Sequence, residues 1–176
     1  DILDVGCGNG YILDQLANTL GERRLIGIDL SHEMLILARD RLKGAADLVE
    51  ASATLLPLRN GSLACLYSVR TLIFVPKSKK DAAIMESKRT VKAAGLMVLI
   101  ECTMEGIRNL NRLRRRFGVP DLLERPKYFF EQERLENALR KSGCHVLRRT
   151  HFPIVSILEK VIYAKVAWIR GSTRLF

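Results

Sequence analysis

The chain has 176 residues, of which 48% are hydrophobic and 27% charged, a balance that supports one folded core and argues against a disordered protein. Its net charge of +10 favours anionic surroundings such as nucleic acid, acidic lipid or a phosphorylated substrate, without choosing among them. No run of about 18 uncharged apolar residues occurs, which argues against a transmembrane helix, and we expect a cytoplasmic location. Because Asp1 already opens an apolar strand, we expect an N-terminal segment to be missing.

Short apolar runs alternate with amphipathic stretches in the first part of the chain. The predicted strands are Ile2 to Val5, Leu25 to Ile28, Leu48 to Ala51, Leu63 to Val69 and Leu96 to Ile100. The predicted helices are Tyr11 to Leu20, Ser31 to Leu42 with Ser31 as N-cap, and Ser78 to Lys92, ended by Gly95. This alternation is typical of βαβ units, which form a mostly parallel sheet.

The pattern is less regular after Ile100. The segment "MEGIRNLNRLRRRFGVP" predicts a helix, and a further helix is predicted from Glu131 to Ser142. Strands are predicted from Val146 to Thr150 and near Tyr163 to Ile169. We therefore expect an α/β, Rossmann-like, doubly wound and mostly parallel seven-stranded sheet with helices on both faces, in a single domain over residues 1–176. Residues 104–127 are expected to form an insertion that covers the substrate side.

The stretch "DILDVGCGNGYIL" runs from a strand into Gly6, Gly8 and Gly10 and then into a helix. Glycines accept positive φ and let backbone amides approach a ligand, and the helix start offers free N–H groups to a negative group. Asp29 ends the second predicted strand, where a carboxylate can accept hydrogen bonds from two ribose hydroxyls. Loop and carboxylate together predict an adenosine-containing cofactor at the carboxyl ends of the strands.

Two other cofactor classes fit this loop less well. The nicotinamide dinucleotide pattern has its third glycine where Tyr11 stands. A phosphate-binding Walker loop needs a Gly-Lys-Ser/Thr triplet, which does not follow here.

Four segments then resemble the class I S-adenosylmethionine-dependent methyltransferases, specifically the methyltransferase type 11 group that includes the ubiquinone and menaquinone C-methyltransferases. They are "ILDVGCGNG", "GIDLSHEMLILARDRL", "LLPLRNGSL" and "ESKRTVKAAG". They cover about residues 1–103 in order. The resemblance is specific for the superfamily but not for a substrate.

The resemblance implies S-adenosyl-L-methionine as the cofactor. The glycines and Cys7 of the loop would frame its methionine part, Asp4 would help to fix its amino-acid end, and Asp29 would hold the ribose diol. Leu30 would pack on adenine, with Ser52 and Ala53 at the adenine edge and Ser68 beside the cofactor. The implied cofactor-binding residues are Asp4, Gly6, Cys7, Gly8, Gly10, Asp29, Leu30, Ser52, Ala53 and Ser68.

The implied activity is transfer of a methyl group by in-line displacement to a small-molecule or lipid-like acceptor, with oxygen or carbon favoured over nitrogen as the acceptor atom. Two alternatives remain open. The stretch "RNLNRLRRRFG" holds five arginines, which suits an RNA or protein methyltransferase with an anionic partner, although a solvated helix face also explains them. Ser52 and Ala64 replace the aspartates usual in the family, which suits a degenerate, non-catalytic cofactor-binding module.

No catalytic residue is assigned, because methyl transfer from a sulfonium can rest on positioning alone. The cysteines form no CxxC pair and the histidines no cluster, so we expect no metal site and buried thiols in a reducing compartment. The four cysteines are Cys7, Cys65, Cys102 and Cys144. Glu86 and Arg89, three apart on a helix, are expected to be a pair that stabilises the fold. Oligomeric state and contact with a membrane surface stay open.

Overall fold

A computed structural model describes residues 1–121, 129 and 131–150. The strands are β1 (Ile2–Val5), β2 (Leu25–Asp29), β3 (Asp47–Glu50), β4 (Leu63–Val69) and β5 (Val91–Ile100). The helices are α1 (Tyr11–Leu20), α2 (His32–Leu42), α3 (Lys80–Thr90), α4 (Met104–Arg116) and α5 (Gln132–Lys141). Two single turns of 3-10 helix, Leu72–Phe74 and Lys77–Lys79, connect β4 to α3.

The five strands form one parallel sheet in the order β3-β2-β1-β4-β5. Ile2 of β1 lies opposite Leu25 of β2 on one side and Cys65 of β4 on the other. The strand order therefore reverses at β1, and all carboxyl ends point to one edge of the sheet. In open sheets of this kind, ligands bind at that edge beside the point of reversal.

The two faces of the sheet are covered by different helices. Leu3 and Val5 of β1 enter one apolar cluster, which also contains Ile28 of β2 and Leu66 of β4. The opposite face packs on Leu13 of α1 and on α2. A further cluster joins α3 and α5. The α/β doubly wound architecture with helices on both faces is thus confirmed, and full burial of each aliphatic side chain contributes roughly 1.5–3 kcal/mol.

The expected seven strands are not observed, because the sheet has five among the described residues. The strand predicted from Val146 to Thr150 is irregular chain instead. Leu147 is 82% exposed, so a strand there would bury little apolar surface, and Arg149 forms an ion pair with Glu136 of α5. The strand predicted near Tyr163 to Ile169 lies outside the described residues.

Helix α3 and strand β5 are directly joined, which corrects two predicted boundaries. The helix ends at Thr90 and the strand begins at Val91, whereas we expected the helix to continue to Lys92 and the strand to start at Leu96. Gly95 lies inside β5, where a Cβ atom would approach Val91 Cγ1 to 2.5 Å. The glycine therefore permits close packing within an irregular part of the strand and does not end the helix. No helix within the described ranges is long and apolar enough to cross a membrane.

Candidate functional site

The glycine loop joins β1 to α1 in a series of left-handed turns. Gly6, Gly8 and Gly10 have φ values of 75°, 54° and 74°. The amides of Gly6 and Cys7 both donate to the Ile28 carbonyl, at 2.7 and 3.0 Å, which holds the loop against the end of β2. Side chains other than glycine are strained in this conformation by ~1–2 kcal/mol per residue.

The three glycines differ in what surrounds them. A Cβ atom on Gly6 would lie 2.1 Å from Thr71 Oγ1, and one on Gly10 would lie 3.0 Å from Leu42 Cδ1. A Cβ atom on Gly8 would meet nothing within 4 Å. Gly6 is therefore required by packing, and a side chain at Gly10 would be in tight contact with α2. Gly8 instead presents bare backbone to open space, which is the arrangement that lets a ligand approach closely.

Asp29 lies directly against this open part of the loop. Its Oδ2 accepts a hydrogen bond of 2.8 Å from the Gly8 amide, and its Oδ1 accepts one of 2.9 Å from the Ser31 amide. The structure thus brings together the glycine loop and the carboxylate that were predicted from the sequence to form one site. Each carboxylate oxygen has a second lone pair, so the half-buried group can still accept bonds from hydroxyl donors.

Asp4 is buried beneath the loop, 2% exposed, with Tyr67 opposite it on β4. Burial raises the pKa of Asp4 to about 7, opposed in part by the Tyr67 hydroxyl. That hydroxyl lies beside the carboxyl group but completes no hydrogen bond of ordinary geometry among the described atoms. The Tyr67 hydroxyl is therefore a buried polar atom under the loop whose hydrogen-bonding capacity is unused among the described atoms.

Burial also raises the pKa of the Cys7 thiol to about 12, with the charges of Asp4 and Asp29 acting in the same direction. Cys7 is therefore a protonated thiol at neutral pH and contributes packing to the loop. All four cysteines are free thiols, but only Cys7 is buried as expected; Cys65, Cys102 and Cys144 are half-buried.

The remaining predicted residues have varied surroundings. Leu30 is 72% exposed just beyond β2, and Ala53 packs against the core. The Ser52 hydroxyl is 2.9 Å from Thr54 Oγ1 and accepts a bond of 3.2 Å from the Thr54 amide, so it already forms a local turn. Ser68, 2% exposed near the end of β4, has a hydroxyl with no hydrogen-bond partner among the described atoms.

Comparison with known proteins identifies the family to which the chain belongs. Residues 2–95, more than half of the chain, match the protein family described as "Methyltransferase domain". The chain belongs to this methyltransferase family. The class I S-adenosylmethionine-dependent assignment made from the four sequence segments is thereby confirmed, while a closer relation to the ubiquinone and menaquinone group stays a prediction.

Two curated relatives of this methyltransferase domain are malonyl-[acyl-carrier protein] O-methyltransferases. The one from Hahella chejuensis is 29% identical over 99 residues, covering 56% of this chain and 35% of its own length. The one from Geobacter sulfurreducens is 33% identical over 97 residues, covering 54% of this chain and 36% of its own length. The chain thus spans about a third of the length of these relatives.

Solved structures share the fold of the domain. A chain from the complex of the Haloferax volcanii Trm112 methyltransferase activator with a methyltransferase superposes with a TM-score of 0.69 at 21% identity, covering 84% of this chain and 62% of that chain. The YcgJ protein of Bacillus subtilis superposes with a TM-score of 0.68 at 17% identity, covering 91% of this chain and 70% of that chain. At these identities the likeness establishes the fold alone.

Three polar residues near the site of the methyltransferase domain were missed by sequence reasoning: Thr71, Lys80 and Glu101. Glu101 follows β5 directly, as Asp29 ends β2, so its position at a strand end was a usable signal. Lys80 begins α3 and is only 2% exposed, which a lysine in a charged stretch does not suggest. Burial lowers the pKa of Lys80 to about 8, and the charge of Glu101 opposes that shift.

The arginine-rich helix α4 of the methyltransferase domain has two kinds of arginine. Arg114 is 5% exposed and donates a bond of 2.8 Å from Nε to the Pro120 carbonyl, so it is structural. The other four are exposed: Arg108, Arg112, Arg115 and Arg116. Their spacing places them on one face of the helix, over a length of ~12 Å.

Glu86 and Arg89 form the expected structural pair. Arg89 Nε and Nη2 both donate to the Glu86 carboxylate at 2.8 Å, and Arg89 also donates to the Leu56 and Leu58 carbonyls. A second polar pair lies on the surface, where His32 Nδ1 is 2.9 Å from Glu50 Oε2. Among the described residues, no group of three or more His, Cys, Asp or Glu side chains could hold a metal ion.

Proposed function

We propose that this methyltransferase domain binds S-adenosyl-L-methionine at the carboxyl edge of the sheet and transfers its methyl group to a small-molecule or lipid-like acceptor. The observation that carries this proposal is the contact of Asp29 with the Gly8 amide beside a loop surface that is open to solvent. In a member of the methyltransferase family, this pairing of carboxylate and glycine loop supports an adenosine-containing ligand.

Within this proposal, each predicted residue has a role that its surroundings allow. Gly6, Gly8 and Gly10 frame the methionine part of the cofactor, and Asp29 accepts bonds from the ribose hydroxyls. Asp4, buried beneath the loop, faces the amino-acid end, where its carboxylate form would attract the cationic amino group. Cys7 supports the loop as a buried thiol.

The adenine ring of the cofactor would have weaker polar contacts than the ribose. Leu30, largely exposed, offers an apolar surface against which the adenine ring can pack. Ala53 lies next to Ser52 at the adenine edge. The Ser52 hydroxyl accepts a bond from the Thr54 amide, and in the orientation in which it donates to Thr54 Oγ1 it keeps one lone pair for the adenine amino group. Loss of the usual aspartate there is expected to weaken binding by about 1 kcal/mol.

The bound cofactor supplies an electrophilic methyl group on a sulfonium, so the chain's own residues need only position the reactants. The Ser68 hydroxyl, near the end of β4, is buried and has no hydrogen-bond partner among the described atoms, so a local rearrangement that exposes it would let it contact the cofactor or the acceptor. Holding the acceptor atom and the methyl group in line at ~3 Å contributes several kcal/mol through proximity.

The acceptor class is supported by apolar side chains around the same edge. Tyr11 and Phe74 are 59% and 61% exposed, one at the start of α1 and the other just after β4. In the proposed complex, both side chains offer apolar surface to the acceptor. The two O-methyltransferase relatives act, by name, on malonyl groups carried by acyl-carrier protein, which supports an acyl-linked carboxylate oxygen as acceptor.

A transfer assay with S-adenosylmethionine labelled in its methyl group tests the acceptor class. Malonyl-acyl-carrier protein, a free fatty acid and total RNA are the three acceptors to compare. We expect the labelled methyl group on malonyl-acyl-carrier protein or on the fatty acid. Label confined to RNA would contradict it and would establish the alternative activity.

The RNA or protein methyltransferase alternative is favoured by one observation, the four exposed arginines on one face of α4. Contacts between arginine and phosphate release counterions, so RNA binding through this face would weaken steeply with salt. The substitution Arg112→Gln together with Arg116→Gln should then reduce both RNA affinity and its salt dependence.

The position of Ala64 in the fold weakens the non-catalytic alternative, which rested on Ser52 and Ala64. Ala64 is the second residue of β4, five residues before Val69 at the carboxyl end. At ~3.3 Å per residue it lies about 13 Å from Ser68, the proposed site residue on the same strand, so we do not expect its departure from the family pattern to remove a cofactor contact. Ser52 is then the one departure at the cofactor edge itself.

A further inference from the structure

The loop after β4 is tied to the end of β5 by a buried carboxylate. Arg70 adopts a left-handed conformation with φ 56°, which turns the chain away from β4, and Thr71 and Leu72 follow. Glu101, the first residue after β5, accepts hydrogen bonds of 3.1 and 3.0 Å from the Thr71 and Leu72 amides, both on Oε1. Two otherwise unpaired amides of the 3-10 turn are thereby satisfied.

The same loop is also tied to the end of β1. Thr71 Oγ1 donates a hydrogen bond of 2.9 Å to the Val5 carbonyl, immediately before the glycine loop. The Thr71 side chain also fills the space beside Gly6, since a Cβ atom there would lie 2.1 to 2.7 Å from three of its atoms. Thr71 is thus in direct contact with the first turn of the glycine loop.

Glu101 achieves its contacts at an electrostatic cost. Burial raises the pKa of Glu101, and the hydrogen bonds from the Leu72 and Thr71 amides, together with the charge of Lys80, oppose that rise. Its second oxygen, Oε2, is buried with no hydrogen-bond partner among the described atoms. Burying a carboxylate with an unpaired oxygen is unfavourable, and an apolar residue in its place would avoid this free-energy cost. The hydrogen bonds to the two amides are what an apolar residue could not provide.

We infer that Thr71 and Glu101 are positioning residues, which hold the glycine loop, through Val5 and Gly6, in the shape that receives the cofactor. The ends of β5, β4 and β1 are joined by them into one continuous rim of hydrogen bonds. The inference rests on the proposed function for the identity of the ligand. The order of the loop itself can be measured without any ligand.

Thr71→Val tests these hydrogen bonds because it keeps the shape of the side chain and replaces only its hydroxyl with a methyl group. Thr71→Ser keeps the hydroxyl, and Thr19→Val is the matched control, because Thr19 Oγ1 donates to the Gln15 carbonyl at 2.7 Å from an exposed position of α1. One readout is the Kd for S-adenosylhomocysteine by calorimetry. The other is hydrogen exchange of the Gly6 and Cys7 amides, both bonded to Ile28.

For Thr71→Val we expect a Kd raised about fivefold to twentyfold, the effect of losing one or two ordinary hydrogen bonds, with faster exchange at Gly6 and Cys7. Thr71→Ser and Thr19→Val should stay within about twofold of the wild type in both readouts. Glu101→Gln, which keeps an oxygen for the two amides, should bind more tightly than Glu101→Ala.

Unchanged exchange and affinity in Thr71→Val would overturn the inference, as would a Thr71→Ser variant as impaired as Thr71→Val. If the wild-type domain itself fails to bind S-adenosylhomocysteine, the proposed function fails. The exchange rates of Gly6 and Cys7 then decide by themselves whether Thr71 orders the loop.

Discussion

Asp29 and Gly8, 21 residues apart in the chain, are joined by a hydrogen bond of 2.8 Å from the Gly8 amide to Asp29 Oδ2. The second oxygen of the same carboxylate is held by the Ser31 amide at 2.9 Å, at the start of α2. Both oxygens are therefore fixed in place beside the open surface of the glycine loop. Such fixed acceptors reduce the entropy lost when a hydroxyl-bearing ligand binds.

Alanine at the left-handed glycines separates the effects of packing and of ligand access. Gly6→Ala should cost more than the ~1–2 kcal/mol of left-handed strain, because its Cβ would collide with Thr71. Gly8→Ala, in open space, should cost about 1–2 kcal/mol. The control Gly21→Ala is also in open space, but its φ of 62° with ψ of −135° lies outside the left-handed helical region, so it should cost about 1–3 kcal/mol. Urea unfolding of the three variants measures these differences.

The same variants differ in ligand binding. Gly8→Ala places a methyl group on the open surface of the loop and should abolish measurable binding of S-adenosylhomocysteine, whereas Gly21→Ala should bind like the wild type. Equal binding by these two variants would show that the cofactor does not lie over Gly8.

Asp4 should make stability fall as pH rises from acid to neutral. Its pKa is raised from 3.8 to about 7 in the folded state, so the folded chain keeps a proton that the unfolded chain releases. The stabilisation is complete below pH ~4 and is lost as pH rises through ~7, by at most roughly 4 kcal/mol. Urea midpoints between these pH values measure the slope.

Asp4→Asn carries no titrating group and should flatten this part of the profile. Asp40→Asn, an exposed position on α2, is the control and should keep the wild-type slope. A profile for Asp4→Asn that matches the wild type would mean that Asp4 is ionised in the folded chain well below neutral pH.

Arg89→Lys should destabilise the fold by about 1–3 kcal/mol without changing ligand affinity. The guanidinium group clamps the connection between β3 and β4, because it bonds the Leu56 and Leu58 carbonyls, the Asn60 side chain and Glu86 together. An ammonium group cannot make this set of contacts. Thermal unfolding checks the loss, with Lys88→Arg as the neighbouring control, and an unchanged melting temperature would contradict the clamp.

Local patterns in the sequence were sufficient to place the elements that bear the site. Helix Tyr11–Leu20 and strand Leu63–Val69 were predicted with their observed bounds, and the Ser31 cap is present, since its hydroxyl accepts a bond from the Met34 amide. These elements have glycine or capping signals at their ends and a clear apolar period. They fix where Gly6, Gly8 and Asp29 meet.

Features that depend on tertiary neighbours were not predictable in this way. The stretch from Val146 to Thr150 has the apolar start of a strand, but the sheet offers it no pairing among the described residues. Thr71, Glu101 and Lys80 acquire their importance from each other across three elements. The burial of Lys80, in particular, depends on how α3 packs, which its own sequence neighbourhood does not reveal.

A calorimetric titration with S-adenosylhomocysteine tests the central claim most directly. It compares the wild-type domain with Asp29→Ala and with the control Asp40→Ala, each checked for folding by its melting temperature. We predict a micromolar Kd for the wild type, which corresponds to a binding free energy on the order of −7 to −8 kcal/mol. The Kd should be unchanged in Asp40→Ala and at least about tenfold higher in Asp29→Ala. Equal affinity of the wild type and folded Asp29→Ala would contradict the assignment of this carboxylate to the cofactor.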